Sequence, residues 1–141
     1  MTFRICAFIA TLAGVVLISG VGHADPARDA ILQGFAAQAK AANPGFKAFS
    51  AARGMSLFHS KHNGGKPETP SCSTCHTADP RNVGQTRAGK AIEPMAVSRT
   101  PTRFTDPRKV AKWFRRNCKS VLGRECTAQE KGDFITFMSG L

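Results

Sequence analysis

Two cysteines three positions apart, followed directly by a histidine, give the strongest chemical signal in the chain: Cys72-Ser73-Thr74-Cys75-His76. C-x-x-C-H is the pattern of covalent c-type haem attachment. The spacing has a mechanical reason. Thiols so placed reach the two vinyl groups of one porphyrin, and the next side chain then stands beneath the iron. On this reading Cys72 and Cys75 form thioethers to a single haem c, and His76 is the proximal iron ligand. The second ring nitrogen of His76 then needs an acceptor to fix its tautomer, and a backbone carbonyl in the 77–94 loop is expected to serve. Zinc is the competing use of these residues, because Cys72, Cys75, Cys118 and Cys126 could make a four-thiolate site. Zinc leaves His76 without a task and needs a widely spaced second pair.

The far side of the iron decides what such a centre does. Counting on from His76 to where a methionine ligand usually stands lands on Arg115-Arg116-Asn117-Cys118-Lys119-Ser120-Val121, which holds no Met. Met95 follows His76 too closely, and Met55 and Met138 fall on helix faces suited to core packing. His59 and His62 close a helix, where histidine also suits the negative dipole end. With Met95, His59 or His62 as sixth ligand the protein would be a plain six-coordinate electron carrier.

Asn117 is a different kind of candidate. Val110, Trp113, Phe114 and Asn117 recur at helical spacing, so they are expected on one face of a helix ending at Asn117. Arg108, Lys112, Arg115 and Lys119 fall on the outward side. A polar amide closing an apolar stripe is either a helix C-cap or a group with a ligand to hold. A Cys118–Cys126 disulfide would close a short loop after it, contributing about 2.5 kcal/mol in the loop-entropy model and limiting how far Asn117 can move. An amide oxygen is a neutral, hard and weak ligand. It satisfies Fe(III) but competes poorly for the softer Fe(II), so reduction would open that position to O2, NO or CO.

The elements that must hold these residues read as all-α. Residues 25–43 can form a helix with Ile31, Phe35, Ala39 and Ala42 on one side, stopped by Asn43-Pro44-Gly45. Ser50 caps a second helix from Ala51 to about His62, carrying Gly54, Leu57 and Phe58. The stretch from Thr77 to Thr105 shows neither helical nor alternating period, as expected of a segment wrapping a cofactor. Asp106-Pro107 starts another helix, and Thr127-Ala128-Gln129-Glu130 is a capping box opening the last one, with Phe134, Ile135, Phe137, Met138 and Leu141. Gly54 would let the last helix cross closely, on its Phe134/Phe137 side. No segment reads as a strand.

The chain's 141 residues suffice for one core, and 42% hydrophobic with 21% charged residues is the balance of a globular protein. A net charge of +11 raises nucleic acid as a partner, but the first 24 residues argue against it. Arg4, the apolar run Ala7 to Val21 and Gly22-His23-Ala24 before Asp25 form an export signal. The run is shorter than a spanning helix needs, which favours cleavage over the alternative of an uncleaved anchor, and no integral membrane segment is expected once residues 1–24 are removed. The organisation is then a cleaved signal over 1–24, a helical extension over 25–49 and a monohaem cytochrome c domain over 50–141. Cys6 leaves with the signal, and the four remaining cysteines should be bridged, metal-bound or modified in the periplasm.

The stretch Trp113-Phe114-Arg115-Arg116-Asn117-Cys118-Lys119-Ser120-Val121-Leu122-Gly123-Arg124-Glu125-Cys126-Thr127-Ala128-Gln129-Glu130-Lys131-Gly132-Asp133 resembles the SHP (sphaeroides haem protein) family of high-spin, oxygen-binding monohaem cytochromes c. Residues 72–80 and 103–107 resemble it too, and the likeness covers about residues 50–141. The resemblance implies a class I cytochrome c-like fold, helices packed around one covalently bound haem. It further implies that Asn117 ligates ferric iron and leaves on reduction, that Cys118 pairs with Cys126, and that a dihaem cytochrome c is the redox partner. Trp113 and Phe114 would then exclude water near the haem. Cytochrome c double-prime looks related but carries His at the Asn117 position. Oxygen reduction and NO dioxygenation are reactions open to such a centre, beside electron transfer and ligand binding. Part of the Lys112, Arg115, Arg116, Lys119 and Arg124 face is expected to dock an acidic partner.

Overall fold

The computed structural model describes residues 25–141, so the expected export signal over 1–24 lies outside the described residues. The elements in chain order are α1 Pro26–Ala42, α2 Ala51–His59, α3 Ser73–His76, β1 Gly84–Gln85, β2 Ala91–Ile92, α4 Pro107–Leu122 and α5 Ala128–Ser139. The long helices start where side chains satisfy their first free N–H groups. Asp25 accepts from the N–H groups of Ala27 and Arg28. Ser50 accepts from that of Arg53. Asp106 accepts from Arg108 and Lys109, with Pro107 at the first helical position. Thr127 and Glu130 close a reciprocal capping box.

The core sits where α2 crosses α5. Gly54 makes the crossing possible: a Cβ there would collide with the carbonyl of Asp133 and with Phe137. Around the crossing Phe58, Met95, Phe134, Phe137 and Met138 form one buried cluster. The buried carboxylate of Asp133 locks it, accepting from the Ser50 N–H at 2.7 Å and from Arg53 Nε and Nη2 at 2.7 and 2.9 Å. The hydrogen bond to Asp133 raises the Arg53 pKa. α1 packs against α5 as well. Its Phe35 ring meets Phe114 edge-on at 6.2 Å, and its Arg28 donates to the carbonyls of Pro101 and Arg103. The N-terminal helix is thus built into the packing of the rest.

Three local expectations are corrected. β1 and β2 pair antiparallel, Gly84 with Ile92 and Gln85 with Ala91, within the stretch expected to be wholly irregular. Two-residue strands carry no alternation to detect. α2 stops at His59, with Ser60 as its C-cap, rather than near His62. α4 runs on past Asn117 to Leu122, where Gly123 ends it in the left-handed conformation at φ 72°. The rest of the 77–105 stretch is irregular but not peripheral. Met95, Ala96 and Val97 are buried, tied to the Pro80 carbonyl by the N–H groups of Met95 and Ala96 and to the Met138 carbonyl by that of Val97. Among the described residues no helix is long and apolar enough to cross a membrane.

Candidate haem site

The 72–76 segment is a single tight turn of helix. Its backbone closes through Cys75 N–H and His76 N–H, both donating to the Cys72 carbonyl at 3.3 and 3.2 Å. The Ser71 hydroxyl lies 2.8 Å from Ser73 Oγ and 3.0 Å from Thr74 Oγ1, tying the entry of the turn together. Behind it β1 presses close, and a Cβ on Gly84 would strike the Cys75 carbonyl oxygen. The exit is Thr77, a β-branched residue at φ 63°, whose hydroxyl donates to the Asp79 carbonyl at 2.6 Å. Such a conformation persists only where the surroundings over-determine it.

Both thiols are free and half-buried. Cys72 packs against the core cluster, and burial pushes its thiol pKa up to about 11, so it stays neutral. The His76 ring is half-buried too. Burial first, and the nearby Arg103 charge second, lower its pKa to about 4, which leaves a neutral imidazole with a lone pair to give. Among the described residues His76 makes no side-chain hydrogen bond, so the expected carbonyl acceptor from the 77–94 loop is not in place. The Pro94 carbonyl accepts from Arg103 Nε and Thr100 Oγ1 instead.

α4 shows two faces where one was expected. Val110, Cys118 and Val121 are buried, and the half-buried Phe114 points with them, its ring edge-on to Phe134 at 5.6 Å. Trp113 and Asn117, one turn apart, lie on the neighbouring open face, with Trp113 48% exposed and Asn117 exposed. The Asn117 amide has no hydrogen-bond partner among the described residues. Since α4 continues for five more residues after it, the C-cap role is removed; Gly123 fills it. The helix end beyond Asn117 is clamped. Cys118 is bonded to Cys126. The Ser120 carbonyl accepts from Lys66 N–H at 2.8 Å and from the Thr69 hydroxyl at 3.2 Å. The same 63–71 loop leads directly into Cys72.

That disulfide removes two of the four thiolates a zinc site would need, and no other cluster of metal-binding side chains exists among the described residues. The other axial candidates have structural tasks. Met95 is 9% exposed within the core cluster. His59 lies edge-on to Phe58 at 4.9 Å, and His62 Nε2 is 3.1 Å from the Leu57 carbonyl, capping α2. Within the basic face Arg124 is paired with Glu130 at 2.7 Å, while Lys112, Arg115, Arg116 and Lys119 are exposed. Arg116 and Lys112 approach the Trp113 ring at 5.1 and 5.5 Å. Sequence reasoning missed Arg28 and Arg103, since a lone arginine outside any motif gives no sign of burial.

A family described as a domain of unknown function (DUF1924) matches residues 44–138. Cytochrome c-type protein SHP from Cereibacter sphaeroides is 48% identical over 130 residues, 92% of each chain. This chain belongs to the SHP family of c-type cytochromes. The structure of oxidized SHP, an oxygen-binding cytochrome c, matches it with a TM-score of 0.74 and 48% identity, covering 81% of this chain and 96% of that one. The solution structure of Methylophilus methylotrophus cytochrome c'', which concerns haem-ligand detachment, matches with a TM-score of 0.68 and 33% identity, over 79% of this chain and 91% of that one. As a member of the SHP family the chain carries one covalently bound haem c. The residues fit it: two free thiols at attachment spacing, one of them on apolar core, and a neutral imidazole without a protein partner on a braced turn.

Proposed function

We propose that this protein is a periplasmic monohaem cytochrome c with a detachable distal ligand, Asn117, which accepts electrons from a partner cytochrome and binds O2, NO or CO when reduced. Cys72 and Cys75 are the thioether donors and His76 is the proximal ligand. The observation that carries the reading is Asn117 itself, an amide inside an unbroken helix, on its open face, with no hydrogen-bond partner among the described residues and no capping task. Haem c supplies a one-electron couple and, where an axial position opens, a place for a diatomic gas.

The protein's own part is holding and releasing. The weak amide oxygen of Asn117 suits ferric iron and loses its hold when the iron softens on reduction. The disulfide and the 63–69 loop clamp the helix end just beyond it, so the released amide stays within reach and can offer its N–H to a small ligand. Trp113 beside it and Phe114 behind it exclude water. The relatives support this reading: one is an oxygen-binding cytochrome, and another was solved to explain haem-ligand detachment. The Cys118–Cys126 bridge suits the oxidising periplasm, as does the signal read over residues 1–24. Exposed Lys112, Arg115, Arg116 and Lys119 suit an acidic partner, a dihaem cytochrome c, with transfer rates that fall as salt rises.

Replacing Asn117 by Ala tests the assignment. The ferric protein is expected to become five-coordinate or water-bound, seen as a shift of its charge-transfer band and EPR signal. Stability of the reduced protein, in which the amide is released, should move by less than about 0.5 kcal/mol, because the side chain is exposed. An unchanged ferric spectrum would overturn it.

A further inference from the structure

We infer that the outward ridge of α4, formed by Arg108, Lys112, Arg115 and Lys119, is a docking surface for an anionic lipid bilayer, holding the protein at a membrane with its haem side turned away. The inference goes beyond the functional reading and takes from it only that the haem lies on the Asn117 side of α4. The helix carries six Lys or Arg, all exposed, and the chain has no acidic residue between Asp106 and Glu125. Positions 108, 112, 115 and 119 follow one another at steps of four, three and four, so they line a single ridge about 16 Å long. Each stands two positions from Val110, Asn117 or Val121, and helix residues two apart point to opposite sides. The ridge therefore faces away both from the core, where Val110 and Val121 are buried, and from Asn117.

Nothing inside the fold answers these charges. The ion pairs among the described residues, Arg53–Asp133, Arg81–Asp79, Arg87–Glu68 and Arg124–Glu130, all lie off α4. Like charges one turn apart weaken a helix, and Arg108 stands in the first turn, where the dipole disfavours a cation. Charge kept at a cost to the fold calls for an anion outside it. A protein partner matches the ridge poorly, because protein interfaces are built around buried aromatic anchors and are depleted in Lys. The ridge has no such anchor: Trp113, the exposed aromatic of α4, stands on the open face with Asn117. A bilayer surface needs no anchor, only several cations that reach its headgroup phosphates together. Arg116, which approaches the Trp113 ring at 5.1 Å, remains for the acidic redox partner on the haem side.

The test is co-sedimentation of the holoprotein with vesicles of phosphatidylcholine alone, and of phosphatidylcholine mixed equally with phosphatidylglycerol, at low salt. The parent is expected to pellet with the mixed vesicles only and to leave them as salt rises. Each ridge charge removed should weaken binding about fivefold, so R108Q/K112Q/R115Q/K119Q should lose about a hundredfold or more. K40Q/K47Q/K61Q/K90Q removes the same charge from exposed positions elsewhere and should bind within about tenfold of the parent. Equal losses in the two variants would mean that net charge alone is sensed, and would overturn the inference. A parent that pellets with both vesicles alike, or with neither, also overturns it. Binding to polyglutamate in place of the mixed vesicles would assign the ridge to an acidic protein and overturn it too. Should the ridge variant yield no holoprotein, R115E carries the test: a loss of more than about tenfold is expected, and a loss no greater than that of K40E overturns the inference. CO binding by the reduced parent scores the Asn117 assignment separately, since vesicle binding requires no change of redox state.

Discussion

Behind the 72–76 turn Gly84 is pressed against the Cys75 carbonyl, whereas Asn117 stands on the open face of α4 with no hydrogen-bond partner among the described residues. The turn is braced at its entry, behind it and at its exit: hydroxyls at Ser71, Ser73 and Thr74, a strand behind, a constrained Thr77 at its exit, and Cys72 on the core. The helix is braced on its inner face by Phe114 and beyond Asn117 by the disulfide and the 63–69 loop, while the Asn117 side chain itself is held by nothing among the described residues. One side of the site is built to stay where it is. The other is built to keep a side chain nearby without fixing it. That asymmetry fits the proposed centre with one permanent and one removable ligand, and it can be broken region by region.

The largest effect is expected at Gly84. Gly84→Ala drives a methyl into backbone that cannot yield cheaply, costing about 3 kcal/mol in a denaturant titration and lowering the yield of haem-bearing protein. Normal yield and stability would mean the turn is not braced as described. Next is Cys118→Ser with Cys126→Ser. Losing the bridge should cost about 2.5 kcal/mol, while the haem stays attached and the heterogeneity appears on the Asn117 side, as a mixed ferric spectrum. The smallest effect is expected at Glu130, which caps α5 and pairs with Arg124. The Arg124 hydrogen bond, above all, lowers its pKa. Its charge therefore stabilises the fold above the ordinary carboxylate pKa, and that gain fades as pH falls through the lowered value. Glu130→Gln should cost under about 1 kcal/mol at neutral pH, because Arg124 is half exposed, and nothing in acid. A cost unchanged in acid would assign the effect to packing instead.

Much of this was legible in the amino-acid order because it depends on local chemistry. Asp106-Pro107 and the Thr127/Glu130 box announce helix starts through the N–H groups that must be satisfied there. Gly54 announces a close crossing because a glycine inside a helix is otherwise only a cost. The C-x-x-C-H spacing announces an attachment chemistry. What stayed hidden depends on contacts far apart in the chain. Helical spacing alone could not separate Phe114, drawn inward by Phe35 and Phe134, from Trp113 and Asn117 on the adjacent face. Nor could it show that α4 continues to Gly123, since Asn117 itself looks like a stop signal. The burial of Arg28 is set by carbonyls more than seventy positions away.

The most direct measurement is the visible spectrum of the dithionite-reduced holoprotein before and after CO. With Asn117 released, CO should bind at once and completely, giving a sharp displaced Soret band without any prior step. A low-spin ferrous spectrum that ignores CO would mean the distal position stays occupied after reduction, and the account of Asn117 would be wrong.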